Sequence, residues 1–240
     1  MRKSVMVLIG VAACTPIAAL ASLFAAAHFS AMDRLTLAMP MSIRVPVAQI
    51  AMDKVGYGKD STTKIDRVIK LDPENPDAWS RRCGAFDDAD SPTFDPSLAL
   101  TQCQKALSLQ HTEDNFNGLG LAQEALKDYC AAEDSFTHAN SLVNARDAYV
   151  LRNMGRAALE CGHAASSVAI FEVAEETDAK DVEDDDDKED LLLDREWLVL
   201  ANQANHDPAA ATAACAKAHP DWKSCHCIPD GTGVKCTNAP

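Results

Sequence analysis

Aromatic residues and basic charge are both scarce in this sequence of 240 residues. Phe, Trp and Tyr make up only 5% of it, so small residues, chiefly alanine, must fill much of any core. Lys and Arg number 22 against 36 Asp and Glu, which gives a formal net charge of −14. Nucleic-acid binding requires clustered Lys and Arg that displace counterions from phosphates. The sequence has no such cluster, and we therefore expect no nucleic-acid partner.

Recognisable catalytic motifs are also lacking. None of the six histidines considered as candidates stands in a sequence that supplies a nucleophile or a metal partner: His111, His138, His163, His206, His219 and His226. The segment Asp230-Gly231-Thr232-Gly233 differs in order from the D-[ST]-G motif of aspartic proteases. The sequence therefore predicts neither an enzyme nor a bound cofactor or metal.

The N-terminus has the features of an export signal. A basic start at Arg2 and Lys3 precedes the apolar run Val5–Ala13, and Ala19-Leu20-Ala21 supplies an A-x-A site. Residues 1–21 are predicted to be a cleaved signal peptide, followed by a linker over 22–44. Two alternatives stay open: an uncut membrane anchor extending to about residue 29, and a lipoprotein, because Val11–Cys14 resembles a lipobox. Each predicts an exported protein, periplasmic or secreted, whose membrane contact is confined to this segment.

Eight of the nine cysteines lie beyond Cys14. An even number in an exported chain favours disulfide bonds. The alternative is that several are small buried residues, as free cysteines often are.

A repeated pattern runs through the middle of the chain. Three residues recur at an offset of 35 positions: Gly120 and Gly155, Phe136 and Phe171, Ala139 and Ala174. The pattern resembles that of the tetratricopeptide repeat (TPR) family, whose 34-residue unit is a helix–turn–helix. Weaker units begin at Trp79 and Trp197, with second helices around Ala99–Ala106 and Ala211–Ala218.

The resemblance implies an all-α fold. We expect a short right-handed solenoid of about three to four helical hairpins over residues 45–222, an acidic loop insertion at 176–194, and a small Cys-rich tail at 223–240. In such a stack each unit buries its faces only against its neighbours.

The resemblance also implies a function, because the first helices of such units line a concave face that binds peptides or partner helices. The candidate partner-binding residues are Asn117, Leu121, Tyr149, Arg152 and Arg156. Tyr149, Arg152 and Arg156 follow at helical spacing, and a guanidinium suits a partner carboxylate. We expect a protein–protein interaction scaffold or adaptor in the cell envelope that binds a protein or peptide. An exposed helix face that merely neutralises nearby acidic residues is the alternative.

Stacking of such hairpins further implies that Cys130 lies near Cys161 and that Cys83 faces Cys103. The tail is expected to form a hairpin at Asp230-Gly231, with Cys215, Cys225, Cys227 and Cys236 joined in two bridges. The alternative is a zinc or thiol-redox site formed by Cys225, Cys227 and Cys236 with His226. Its C-x-C spacing departs from the C-x₂₋₄-C pairs of structural zinc sites.

Most of the negative charge is concentrated in residues 172–196. This stretch has 14 acidic and three basic residues, a net −11, which leaves −3 for the remainder of the chain. Dense like charge favours a solvated loop. Calcium binding is the alternative, although the glycine that an EF-hand loop requires at its bend is missing.

Overall fold

The structure is a computed structural model that describes residues 37–53, 61–84, 95–143, 147–180, 182, 184–231 and 233–238. The described residues form ten α-helices and one two-stranded sheet. The chain divides into two compact units between Ala78 and Trp79. The predicted signal peptide with its anchor and lipoprotein alternatives lies outside the described residues, as does most of the turn predicted before Pro96. Among the described helices, none is both long enough and apolar enough to cross a bilayer.

The first unit contains a helical pair, α1 (Met41–Met52) and α2 (Ser61–Leu71). Its core is formed by Ala48 and Met52 of α1 against Ile65 and Val68 of α2. Helix α3 (Pro76–Gly84) follows a short turn. Its start is capped by Asn75, whose Oδ1 accepts a hydrogen bond of 2.9 Å from the Ala78 N–H.

The second unit continues with seven helices: α4 (Pro96–Leu109), α5 (Glu113–Ala125), α6 (Tyr129–Leu142), α7 (Ala148–Glu160), α8 (Ala164–Asp178), α9 (Asp185–Ala204) and α10 (Pro208–Ala218). Side-chain caps start five of them, at Asp95, Thr112, Asp147, Asp184 and Asp207. Three-residue turns join α5 to α6, α7 to α8 and α9 to α10. Such short turns make each pair an antiparallel hairpin, and consecutive helices pack against each other from α4 to α10.

The repeated Gly and Phe meet inside each hairpin. A Cβ atom at Gly120 would lie 2.5 Å from the ring of Phe136, and one at Gly155 would lie 2.8 Å from the ring of Phe171. Both phenylalanines are fully buried. Glycine on the first helix therefore lets the aromatic ring of the second helix pack against its backbone. The prediction of helix–turn–helix units repeating every 35 residues is confirmed.

A further hairpin follows, as the pattern beginning at Trp197 predicts. The indole of Trp197 stacks on the ring of Phe171, with ring centroids 5.6 Å apart and planes 4° from parallel. Trp197 is 2% exposed. The aromatic pair joins the core of the α7–α8 hairpin to that of α9–α10.

The acidic stretch expected to be a solvated loop is mostly helical. Helix α8 extends to Asp178 and α9 begins at Asp185, so the connection between them is short. A capping box stabilises the start of α9, where the side chains of Asp184 and Asp187 accept hydrogen bonds from each other's backbone N–H. Negative charge is favoured in a first helical turn because the unpaired N–H groups there carry partial positive charge. The density of acidic residues therefore favours a helix start here.

The tail forms the predicted hairpin. Strand β1 (Cys225–Asp230) pairs antiparallel with β2 (Gly233–Asn238). Gly231 turns the chain with a φ of 62°, a left-handed conformation that glycine adopts without steric cost. Cys227 packs into the same core as Trp197 and Cys215, so the tail is attached to the last helical hairpin.

Candidate functional site

The first helices of the three hairpins, α5, α7 and α9, are called the A helices here, and the surface that they form together is called the A-helix face. Two cross-links join α5 to α7. The Asn153 Nδ2 donates to Asn117 Oδ1 at 3.3 Å, and the Arg156 guanidinium donates to the Glu124 carboxylate at 3.1 and 2.6 Å. The earlier residue on α5, Asn117, contacts the earlier residue on α7, Asn153, and the later residue, Glu124, contacts the later one, Arg156. The two helices therefore run parallel, side by side. Asn153 and Arg156 are buried, at 2% and 7% exposure.

Arg152 joins α7 to α9 through a cluster of carboxylates. Its Nε donates to Asp194 Oδ1 at 2.6 Å, its Nη2 to Asp178 Oδ2 at 2.8 Å, and its Nη1 to Asp190 Oδ1 at 3.3 Å. Asp194 is fully buried, whereas the Asp190 side chain is 60% exposed. One guanidinium thus holds the end of α8 and two turns of α9 against α7. We call these four residues the Arg152 cluster.

Burial dominates the protonation of Asp194. The pKa of Asp194 is raised to about 7, chiefly by desolvation on burial and also by the nearby Asp178 carboxylate, while Arg152 lowers it. Its Oδ2 accepts no hydrogen bond from any described residue. Burial alone lowers the pKa of Arg152, but the carboxylates around it outweigh that effect and raise its pKa. The guanidinium therefore keeps its charge, and burial makes Asp194 easier to protonate than an exposed aspartate.

Arg152 and Arg156 thus occupy a different environment from the one expected of partner anchors. Both lie on the A-helix face, but their donors are taken up by carboxylates of the same chain. Asp190 and Asp194, which pair with Arg152, are 38 and 42 positions away from it. Glu124, which pairs with Arg156, is 32 positions away. These separations are beyond any helical spacing. The sequence did contain one indication that Asp194 is buried. It follows three leucines and stands one turn before Trp197, on the apolar side of its helix.

The remaining predicted partner residues differ in exposure. Tyr149 is 52% exposed one turn before Arg152. Asn117 is half-buried and accepts the bond from Asn153. Leu121 packs partly against the core around Phe136. Of the predicted set, Tyr149 is therefore the large side chain most available to a partner.

The eight described cysteines are joined in four disulfide bonds. Cys83 pairs with Cys103 and Cys130 with Cys161, as the stacking of hairpins implied. In the tail, Cys215 pairs with Cys225 and Cys227 with Cys236. These tail bridges leave Cys225, Cys227 and Cys236 without the thiolates that the alternative zinc or thiol site requires, and His226 is exposed on β1.

Two groups of metal-ligating residues occur within the described part of the chain. One comprises Glu133, Cys161 and His163, and the other Glu196, His219 and Cys236. Within each group the potential ligand atoms lie within 4.8 Å of one another. In both groups the cysteine belongs to a disulfide bond. Neither group was predicted from sequence, because each joins residues from different elements.

The stacked antiparallel hairpins of the second unit define a helical-repeat protein. Similar solved structures show which kind of helical repeat this is. MamA superposes with a TM-score of 0.58 at 17% identity, over 73% of this chain and 90% of MamA. YrrB, described as a TPR protein with an unusual peptide-binding site, superposes with a TM-score of 0.56 at 15% identity, over 74% of this chain and 86% of its own.

A third similar structure is the C-terminal part of a TPR repeat-containing protein from Cytophaga hutchinsonii, with a TM-score of 0.54 and 19% identity over 78% of this chain and 72% of that one. No protein-family model matches the sequence, and no curated protein matches it. The chain has the TPR fold, as the repeat pattern predicted.

Proposed function

We propose that this protein is a non-enzymatic interaction scaffold whose A-helix face binds a segment of a partner protein. The TPR fold supports this proposal, since YrrB with the same fold is described as having a peptide-binding site. In this protein the cross-links from Arg152 and Arg156 keep α5, α7 and α9 aligned side by side. A rigid row of parallel helices offers a preorganised surface, which reduces the entropy lost on binding. The arginines then support the surface instead of contacting the partner.

The exposed groups on this face favour a basic partner segment. Arg152 faces three carboxylates, so its cluster has a surplus of negative charge. Asp190 and Asp186 stand one turn apart on the same face of α9, and both are exposed. Tyr149 adds an exposed aromatic ring on α7. Carboxylates attract and orient a Lys- or Arg-rich segment, and an aromatic face accommodates a cation.

Peptide binding tests the proposal. Immobilised extended peptides rich in Lys and Arg are compared with length-matched peptides rich in Asp and Glu, and the affinity is measured against salt concentration. We expect the basic peptides to bind more tightly, and Tyr149→Ala to weaken the binding about tenfold. Asp186→Asn/Asp190→Asn is expected to reduce the association rate and its salt dependence.

The matched control neutralises two exposed acids on second helices, Asp134→Asn on α6 and Glu172→Gln on α8. It removes the same charge from the opposite helices of the hairpins and is expected to leave binding unchanged. A preference for acidic peptides would contradict the proposed chemistry. Wild-type affinity in both Tyr149→Ala and Asp186→Asn/Asp190→Asn would contradict the position of the face.

We also propose that the protein is exported to the cell envelope. The basic start, the apolar run and Ala19-Leu20-Ala21 support export, and so do the four disulfide bonds, which persist in oxidising compartments. Fusing residues 1–36 to a phosphatase that is active only outside the cytoplasm tests this proposal. Activity comparable to that of an unfused cytoplasmic control would refute it. Replacing Ala21 with a bulky residue is expected to prevent cleavage without preventing export.

A further inference from the structure

A set of metal-ligating side chains lies where the turn between α7 and α8 meets the start of α6. None of them belongs to the predicted partner-binding residues. We call Cys130, Glu133, Cys161 and His163 the turn cluster. The His163 Nδ1 lies 2.7 Å from Glu133 Oε2, and its Nε2 lies 3.9 Å from Cys161 Sγ. Cys161 is bonded to Cys130. We propose that reduction of this disulfide converts the turn cluster into a site for Zn²⁺, held by the two thiolates and His163 Nε2.

The orientation of His163 suits a metal ligand. In metal sites the second ring nitrogen commonly donates its N–H to a carboxylate, which fixes the tautomer and the ring orientation. Glu133 already occupies that position at Nδ1, which leaves Nε2 directed towards Cys161. Zinc bonds of about 2.3 Å to sulfur and about 2.0 Å to nitrogen place these atoms about 3.6 Å apart in a tetrahedral site. The observed 3.9 Å separation requires only a small movement.

Exposure distinguishes this bridge from the other three. Cys130 is exposed and Cys161 half-buried. Each other disulfide includes at least one cysteine that is 2% exposed or less: Cys83, Cys103, Cys215 and Cys227. Thiol–disulfide exchange depends on access of the attacking group to sulfur. A limited amount of reductant is therefore expected to open Cys130–Cys161 first and to leave the buried bridges intact.

The chemistry balances with a dithiol or phosphine as the reductant. Two electrons and two protons convert the disulfide into two thiols, and the reductant becomes a cyclic disulfide or, with water, a phosphine oxide. Zn²⁺ then displaces both thiol protons, so binding releases them to solvent. Three protein ligands leave the fourth tetrahedral position to water. A small-molecule disulfide as oxidant takes two electrons from the thiolates and is itself reduced to two thiols, which re-forms the bridge and expels the metal. Metal occupancy therefore depends on redox state.

Cobalt titration tests the proposal on the intact protein. The protein is reduced with limiting phosphine and desalted, and the free thiols are located by alkylation and mass spectrometry. Co²⁺ is then added as a spectroscopic probe for Zn²⁺. We expect alkylation confined to Cys130 and Cys161, one bound Co²⁺ with tetrahedral visible bands and a thiolate charge-transfer band, and displacement by Zn²⁺. The oxidised protein is expected to show neither band.

Variants identify the ligands. His163→Ala removes a side chain that is 57% exposed, so the fold and the disulfide are expected to remain. It should weaken Co²⁺ binding at least tenfold, and Glu133→Ala, which removes the orienting carboxylate, about 10–100-fold. The control is His206→Asn, at an exposed left-handed position in the turn between α9 and α10. It should bind as the wild type does.

The proposal is overturned if reduction adds no Co²⁺ binding, or if His163→Ala binds as tightly as His206→Asn. It is equally overturned if Cys130→Ser/Cys161→Ser retains stoichiometric metal after reduction, since the ligands would then lie elsewhere. Far-UV circular dichroism on every sample checks that the helices persist.

Discussion

Replacing Arg152 by methionine is expected to destabilise the protein more than removal of any exposed charge. Methionine has similar length and no charge, so the change leaves Asp178 and Asp194 beside each other without a cation. Arg152 is 7% exposed and Asp194 fully buried, so solvent compensates little. Removing one partner of a buried ion pair costs about 3–5 kcal/mol, because the remaining charge stays buried. At about 2–4 °C per kcal/mol for a chain of this size, Tm should fall by about 6–20 °C.

The loss should depend on pH. Arg152 lowers the pKa of Asp194, so removing it leaves burial and repulsion from Asp178 to raise the pKa of Asp194 in the folded protein further above its value in the unfolded chain. Protonation then favours the folded state, so stability that is present at low pH is lost as the pH rises. The deficit relative to wild type should therefore be larger at about pH 8 than at about pH 5. Urea unfolding followed by far-UV circular dichroism at both pH values measures it.

Arg195→Met provides the matched control. Arg195 donates to Glu175 at 3.0 Å, but its side chain is 29% exposed, and Lys217 also contacts that carboxylate at 2.8 Å. A partly exposed pair with a second cation present should cost at most about 1 kcal/mol. If Arg152→Met destabilises no more than Arg195→Met at either pH, the account of Arg152 as the charge that holds α7 to α9 is refuted.

Three further predictions concern packing and protonation. Burial raises the pKa of Asp194 to about 7, so the wild type should lose stability relative to Asp194→Asn as the pH rises from about 4 through about 7; equal slopes in urea unfolding would contradict this. Gly155→Ala places a Cβ 2.8 Å from the Phe171 ring and should cost about 1–3 kcal/mol by thermal unfolding; an unchanged Tm would show that the hairpin can open. Cys83→Ser/Cys103→Ser should cost about 2–5 kcal/mol in urea under oxidising conditions, and a midpoint equal to wild type would exclude a stabilising bridge.

The repeat architecture was predictable because its signal is local. Gly120 and Gly155 each stand opposite a phenylalanine 16 positions later, and in the structure each pair is in contact. The spacing of 16 positions between glycine and phenylalanine therefore specifies which helix carries the small residue and which carries the large one. A weaker pattern beginning at Trp197 predicted the last hairpin, α9–α10, in which the Trp197 ring stacks on Phe171 of the preceding hairpin.

The candidate site was predictable only in its location. Periodicity placed Tyr149, Arg152 and Arg156 on one helix face, but it carried no information about what faces them. The carboxylates around Arg152 come from the end of α8 and from α9, 26 to 42 positions away. The sequence likewise predicted a loop for the acidic stretch, because the density of like charge is visible along the chain. The cation that pairs with three of its carboxylates, Arg152, lies on α7 and is distant in sequence.

The sequence by itself determined the helical hairpins, the 35-residue repeat, the tail turn at Asp230-Gly231 and the concentration of negative charge in one segment. Only the tertiary structure decided that this segment forms the end of α8 and the start of α9, and that Arg152 and Arg156 are bound by carboxylates of the chain itself. It also decided that His163 lies beside an accessible disulfide. The physical reason is range: propensity, capping and steric fit act within a hairpin, whereas electrostatic pairing depends on which helices stacking brings together.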